Sequence, residues 1–393
     1  MTKKRPISYQ EKLPKVVLLI ETSREYAPGL LQGIAAWNHE FGPWSFHFQP
    51  LGLTQLPPDW LARWNGDGIL VRIDNEEMEK AVLDTGLPAI DLRGALANPE
   101  IHFIGVDNRK IAEIGFRHLC EAGFWNYAFC GNPRNLNRFD DERCEFFKQF
   151  VENAGFNCSV FPAEKVPKRG NQLENERRAI AKWLQTLPKP TGLMVCKDDR
   201  GIQVIDAAMH IGMRVPDELA VISVDNDPYF CNMSTPSMTS IETNSERIGY
   251  EAAAMLSRMM KGEKNIPKYS LLPPGGVVKR RSTDVLAIDN REDAEILRFL
   301  REQAIAGLSV QEVTENFDIS RSTIERLVKK YFKKTPKAEM LHIQIEHAKQ
   351  LLKKTALTMS MVAEQSGFRS TTYFVAAFSK IVGVTPKRFR QEQ

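Results

Sequence analysis

The sequence predicts a two-lobed α/β domain, with parallel sheets joined by crossover helices, followed by an all-α domain holding two helix-turn-helix units. Three observations predict it. Short apolar runs alternate with amphipathic stretches from residue 15 to residue 283, helical spacing alone persists from about Arg291, and excess positive charge is confined to that helical end. Residues 301–393 carry 16 Lys and Arg against 9 Asp and Glu, whereas the preceding 300 residues carry 37 against 40. The overall charge of +4 therefore conceals a basic tail on a slightly acidic body. That is the distribution expected when only the tail meets a polyanion.

Residues 1–14 form a polar leader. KVVLLI (15–20), GILV (68–71), PAIDL (88–92), FIGVD (103–107), YAFCG (127–131), GLMVC (192–196) and LAVISVD (219–225) follow. They are short, apolar and without clear alternation, as strands buried on both faces are. Between them lie stretches such as PGLLQGIAAWNHEF (28–41), where Leu30, Ile34, Trp37 and Phe41 repeat at helical spacing. Alternation of this kind builds parallel sheets, and residues 15–283 exceed what one doubly wound sheet needs. Two lobes facing each other across a cleft are expected, with strand C-ends and helix N-termini turned into it. The turn PPGG (273–276) precedes a last strand, VVKRRST (277–283), and residues 284–294 are a polar linker.

From residue 295 the chain reads as helices alone. Ser309 is an N-cap, Asp318-Ile319-Ser320 a turn, and Ser320 the cap of a second helix whose apolar face is Ile324, Leu327 and Val328. Its outer face presents Arg321, Ser322, Glu325, Arg326 and Lys329. The unit near 309–332 then recurs near 358–382. Thr358 caps MSMVAEQ, Ser366-Gly367-Phe368 turns the chain, and Ser370 caps a helix with Phe374, Ala377 and Phe378 inward. Thr371, Thr372, Tyr373, Ala376 and Lys380 are left on its other faces. Two short helices across a tight turn are the helix-turn-helix plan, whose second helix enters a major groove. Arg369, Thr371 and Thr372 offer hydrogen bonds to bases or phosphates, and Lys387, Arg388 and Arg390 supply charge nearby.

Gly367-Phe368, Tyr373-Phe374, Phe378 and Gly383-Val384-Thr385-Pro386 through Phe389-Arg390 resemble the signature of AraC-type transcription regulators over about residues 295–391. Three positions depart from that pattern: Thr314 and Gln344 stand where alanine and arginine are usual, and Ala376 where a polar base-contacting residue is common. Residues 15–283 resemble the effector domain of LacI-type regulators and periplasmic sugar-binding proteins. The resemblance is carried by Ser23-x-x-Tyr26 before LLQGI, Arg143-x-x-Phe146-Phe147, Val195-x-x-Asp198, VPDELAVISVDN (215–226) and the closing KRRST. A LacI-like sugar domain joined to a C-terminal AraC-like module is similar to the arrangement of the bacterial xylose-operon regulators. The resemblance implies a homodimeric activator that recruits RNA polymerase to operator DNA, with a pentose, D-xylose foremost, as effector.

Sugar chemistry makes its own demands. Adjacent hydroxyls call for planar bidentate groups, and the C–H face of the ring calls for an aromatic. Asp225 and Asp198 stand at strand C-ends and Arg143 at a helix start, while Tyr26 and Phe139 are placed to stack. Arg24, Asp74 and Arg200 are further candidates. Asp225 could equally serve only to cap a turn, Arg143 be a surface charge in the run DDER, and Phe139 belong to the core.

Other readings stay open at this point. The effector could be another pentose, a hexose, a purine or a sugar phosphate, the last disfavoured by few clustered Lys or Arg at the strand ends. A sugar-converting enzyme with a DNA-tethering tail is the alternative class. The sequence holds no P-loop, no GxGxxG after the first strand, no nucleophile elbow and no HExxH. Cys120, Cys130, Cys144, Cys158, Cys196 and Cys231 include no CxxC pair and read as small apolar residues. No metal or cofactor is expected. The run Val16–Ile20 is too short for a bilayer span or signal-peptide core, so a cytoplasmic protein without membrane attachment is expected.

Overall fold

Two compact units, one within residues 1–285 and one within 286–393, make up the chain. The computed structural model describes residues 13–21, 26–51, 56–96, 99–167, 171–284, 291–332, 334–355 and 357–391. Most of the expected leader and the centre of the expected linker lie outside these residues, as does Arg24.

The first unit contains strands β1 (Lys15–Glu21), β2 (Ser45–Leu51), β3 (Gly68–Val71), β4 (Ala89–Asp91), β5 (His102–Val106), β6 (Tyr127–Cys130), β7 (Cys158–Val160), β8 (Thr191–Val195), β9 (Leu219–Asp225), β10 (Thr239–Glu242), β11 (Tyr269–Leu272) and β12 (Gly276–Val278). Its helices are α1 (Tyr26–Phe41), α2 (Glu76–Leu83), α3 (Asn108–Glu121), α4 (Arg138–Asn153), α5 (Gln172–Leu184), α6 (Asp198–His210), α7 (Pro228–Met233) and α8 (Ser245–Met260).

The strands form two six-stranded sheets, ordered β11-β5-β4-β3-β1-β2 and β12-β10-β9-β8-β6-β7, parallel throughout except for β12 against β10. Each sheet is the centre of one lobe. The chain crosses between lobes after β5, again before β11, and a third time before β12. β1, β3 and β9 are buried almost end to end because both faces are covered by helices. The last strand is shorter than the sequence suggests. β12 stops at Val278, and Arg281–Thr283 coil into a single tight 3-10 turn.

Helix α1 is held against α8 at an unusually close crossing. A methyl on Gly33 would strike the Glu246 carbonyl, and one on Gly249 the Leu30 carbonyl. The crossing fixes the helix that opens with Tyr26. All six cysteines are free thiols, and burial pushes the Cys130, Cys144 and Cys158 groups up to about 12.

The second unit is helical: α9 (Arg291–Ala306), α10 (Val310–Asn316), α11 (Arg321–Phe332), α12 (Pro336–Lys354), α13 (Met359–Gln365), α14 (Thr371–Val382) and α15 (Pro386–Gln391). One core gathers Ile296, Leu300, Val313, Ile324, Leu327 and Val328, and another Val362, Phe368, Phe374, Ala377 and Phe378. Helix α12 belongs to both, through Met340 in the first and Ile345, Ala348 and Leu352 in the second. Among the described residues, no helix is long and apolar enough to cross a membrane.

Candidate effector cavity and nucleic-acid interface

A cavity of about 300 Å³ opens where the two sheets of the first unit present their strand C-ends, at the small end of the range for small-molecule sites. Strand ends supply Arg72, Asp74, Leu92, Arg93 and Asp225, and helix starts supply Tyr26, Asn108, Phe139, Arg143 and Asp198. The cavity therefore brings together Tyr26, Asp74, Phe139, Arg143, Asp198 and Asp225 of the residues singled out from sequence.

Arg143 is buried, not a surface charge. Its Nε donates to Asn108 Oδ1 at 3.0 Å and its Nη1 to the Cys196 carbonyl at 2.7 Å, and the guanidinium lies 5.3 Å from the Phe139 ring centroid. Nη2 has no partner among the described residues. Arg93 also approaches Phe139, 5.7 Å from the ring centroid, and pairs with Asp74. Tyr26 carries the Arg72 guanidinium 5.4 Å above its ring, and Arg72 pairs with Glu21 at 3.1 Å. Burial holds the Tyr26 hydroxyl proton tightly, with a pKa raised to about 12. It is a neutral donor at any physiological pH.

The two strand-end carboxylates have different duties. Asp198 Oδ1 accepts from the hydroxyls of Ser223 and, at 2.7 Å, Ser240, and Oδ2 accepts from the Asp227 backbone N–H at 2.6 Å. It is bonded internally and fastens the loop after β9. Asp225 accepts no hydrogen bond from the described residues, although burial and neighbouring charge act on it. Its backbone has φ +105° and Asn226 follows at +57°, conformations that non-glycine residues rarely adopt and that cluster at functional sites. The pKa of both carboxyls is raised, by burial first; Asp225 repels Asp198 further, while Arg143 partly offsets the rise at Asp225.

Arg200 stands outside the cavity. Its guanidinium pairs with Glu176 on α5 at 3.2 Å and donates to Asn132 Oδ1 at 2.5 Å. Two residues beyond Asp198 on α6, it lies about 200° round the helix axis, so the two side chains cannot share a face. Sequence reasoning missed Arg72, Arg93, Asn108 and Lys197. A signal existed: Arg72 follows GILV directly, and Asn108 follows FIGVD. The expectation of few cationic groups is also corrected. Arg72, Arg93, Arg143 and Lys197 line the cavity, against Asp74, Asp198, Asp199, Asp225 and Asp227. Carboxylates outnumber cations and pair with Arg72 from Glu21 and with Arg93 from Asp74, which suits a neutral polyhydroxyl ligand better than a phosphate.

In the second unit the two helix-turn-helix hairpins repeat one another in detail. Ser309 closes a capping box with Glu312, and Thr358 accepts from the Met361 N–H. The turns carry a left-handed residue at matching places, Asp318 at φ +49° and Gly367 at +79°. The next N–H in each reaches back five residues, Ile319 to the Thr314 carbonyl and Phe368 to the Ala363 carbonyl, the wider of the two bonds of a Schellman ending. Gln344 on α12 ties α9 to the turn of the second hairpin by donating to the carbonyls of Ala304 and Gly367, at 2.8 and 3.0 Å. A methyl on Gly367 would strike the Ala304 and Ile305 carbonyls.

Helix α11 buries Ile324, Leu327 and Val328 and leaves Arg321, Ser322, Glu325 and Arg326 exposed, Arg321 pairing with Glu325 at 3.1 Å. On α14 Thr372, Tyr373, Ala376 and Lys380 are exposed; Thr371 is half-buried, its hydroxyl 3.5 Å from that of Ser360. Arg369 is exposed at the start of that helix, 3.8 Å from Glu312. Basic and hydroxyl side chains on the outer faces of two capped second helices form a surface suited to duplex DNA.

Residues 116–283 match the periplasmic binding protein-like domain, and residues 313–392 a helix-turn-helix domain. The xylose operon regulatory protein of Escherichia coli K12 is 29% identical over 384 residues, covering 96% of each chain. That of Haemophilus influenzae is 27% identical over 97% of this chain and 99% of its own. Among solved structures, a xylose-binding transcription activator superposes with a TM-score of 0.74 at 27% identity, over 97% of this chain and 99% of that one. The chain has the architecture of the xylose operon regulators. It is a DNA-binding transcriptional regulator, and its periplasmic-binding-protein-like unit is the place for an effector. In these terms Asp225 and the arginines belong to the sensing unit, and the exposed faces of α11 and α14 to the reading unit.

Proposed function

We propose that this regulator is controlled by D-xylose and activates genes of pentose use. The observation that carries the reading is that the Asp225 carboxylate, without a donor among the described residues, lines one cavity with Arg143, Phe139 and Tyr26, in a chain similar along its length to xylose operon regulatory proteins. Asp225 and the free Nη2 of Arg143 take adjacent hydroxyls, Phe139 takes the C–H face, and Asp198 holds the loop on which Asp225 stands. The sensor spans residues 15–283 and the reader 295–393, joined through 284–294. Sugar bridging the lobes favours their closed arrangement, because a ligand shifts an equilibrium only through contacts made better in one state. A homodimer in the cytoplasm then presents its paired hairpins to operator DNA and recruits RNA polymerase. Arg321, Ser322, Glu325, Arg326, Arg369, Thr372, Tyr373 and Lys380 are the DNA-facing set, with Thr371 supporting the second hairpin.

A sensor binds without consuming, so the same cavity does no chemistry on the sugar. A thermal-shift titration against D-xylose, L-arabinose, D-ribose, D-glucose and adenine tests the reading, since a ligand bound only by the folded state raises the melting temperature by mass action. A shift with D-xylose alone supports it. A shift with another compound reassigns the effector, no shift with any removes the cavity's sugar role, and loss of free xylose during incubation makes the protein an enzyme.

A further inference from the structure

Beside Asp225, the side chain of Asn226 is held from an unexpected place. Arg280 Nη2 donates to Asn226 Oδ1 at 2.9 Å, and Nη1 of the same guanidinium donates to the Met238 carbonyl at 3.1 Å. Arg280 lies two residues beyond β12 and four before Asp284, the last described residue ahead of the DNA-binding unit. The stretch it begins is stitched to the sensor. Arg280 N–H donates to Thr239 Oγ1 at 2.8 Å, Ser282 Oγ donates to the Val221 carbonyl at 2.5 Å, and Thr283 Oγ1 bonds both Thr239 Oγ1 and His118 Nε2 at 2.8 Å. One planar cation therefore touches both the left-handed turn that carries Asp225 and the segment through which the chain leaves the sensor.

A turn at φ +105° and +57° persists only where its surroundings hold it. Two further bonds hold this one, the Asn226 N–H to Ser240 Oγ at 2.9 Å and the Asp227 N–H to Asp198 at 2.6 Å. Both come from the sheet and the sensor helices. Among the described residues, the Arg280 bond is the one of these that comes from the exit segment, and a guanidinium that donates in two directions transmits a displacement that a flexible amine would absorb.

We propose that Arg280 is a positioning residue for the effector site and the link by which the Asp225–Asn226 turn reports its state to the segment leading to the DNA-binding unit. The inference rests on the cavity being the effector site. When a ligand draws on Asp225, Asn226 turns with it and Arg280 carries the change into residues 280–284.

The test uses the full chain and three variants: Arg280→Ala, Asn226→Gly and the double substitution. Glycine suits φ +57° and removes only the amide. Hydrogen exchange without ligand is read first. Each single variant should speed exchange at both 223–227 and 277–284, and the double variant should match the singles, because both ends of one bond have been removed. Operator binding is then measured with and without saturating D-xylose, using a labelled duplex selected by the wild-type protein from a random-sequence pool. The sugar-induced fold-change in operator affinity, each variant against its own sugar-free value, should fall at least tenfold toward unity in all three. Exchange altered only at 277–284, additive effects in the double variant, or a normal sugar response in Arg280→Ala each overturns the link. If the wild-type protein ignores sugar, the effector reading fails and the exchange experiment still decides whether Arg280 holds the turn.

Discussion

Replacing Asp225 with asparagine should stabilise the sensor and weaken its grip on the effector in one step. Burial raises the Asp225 pKa most; Arg143 opposes the rise, and Asp199 and Asp140 add to it. With the folded value above the unfolded one, the group's contribution to stability is complete below about pH 4 and is lost as pH rises through the folded pKa. At pH 8 the wild-type chain bears the full cost of a buried charge with no protein donor, on the scale of about 1–3 kcal/mol. Asparagine has nearly the same shape and no charge, so that cost disappears. At about 2–4 °C per kcal/mol for a domain of this size, the transition of the sensor should rise by roughly 2–12 °C. The charge is also what strengthens hydrogen bonds from sugar hydroxyls, by about 1.5–3 kcal/mol, so affinity should fall roughly 10- to 150-fold. Scanning calorimetry at pH 8 and pH 5 with titration calorimetry against D-xylose reads both, and the stability gain must shrink at pH 5. A lower melting temperature at pH 8, or an unchanged dissociation constant, would refute the reasoning.

Sugar binding to the wild-type chain should itself depend on pH. A ligand that needs ionised Asp225 pulls its pKa down and releases protons, so affinity is full at pH 8 and declines toward tenfold per unit as pH drops below the free-site value; titration in buffers of different ionisation enthalpy detects the release, and none should remain in Asp225→Asn. Gly367→Ala forces a left-handed alanine at φ +79° against two carbonyls, at a cost of about 2 kcal/mol or more. Urea unfolding and operator binding should both suffer, with xylose affinity unchanged. Arg321→Ala or Thr372→Ala should weaken operator binding by about 1–3 kcal/mol if the residue touches a base, measured by fluorescence anisotropy at fixed salt; equal affinity removes that residue from the interface.

How much of the fold the sequence reveals depends on where each strand sits. β1, β3 and β9 announce themselves as unbroken apolar runs because helices cover both of their faces. The edge strands send no such signal. β2 carries Phe46 and Phe48 exposed, β11 alternates exposed and half-buried residues, and β12 is three half-buried residues. The basic run at 279–281 reads as the continuation of a strand, yet Arg280 N–H donates to the side-chain hydroxyl of Thr239 on the neighbouring β10 and not to a ladder carbonyl, and the chain turns there. The helical unit was the more legible, since its caps and turns are local chemistry. Ser309, Thr358 and Ser370 cap the helices they precede because their hydroxyls satisfy N–H groups that no helix can satisfy itself.

The site shows where reading by position stops. Strand C-ends identify the side of the sheet that faces the cavity, and that rule finds Asp198 and Asp225 equally. It cannot tell which carboxylate the fold will consume. Asp198 lies within reach of two hydroxyls and an N–H contributed by residues 25 to 42 positions later, distances over which sequence pattern carries no pairing information. Asp225 is left without a donor by a backbone turn that Asn226 and Arg280 hold from a third place in the chain. The same long-range pairing explains the arginines. Arg72 and Arg93 follow strands as plainly as either aspartate, but their usefulness depends on Glu21 and Asp74 neutralising them. With those partners the cavity becomes polar without a net positive charge. Removing Asp74 or Glu21 would push the same pocket toward anions, so the choice of a neutral ligand lies in the pairs and not in any one residue.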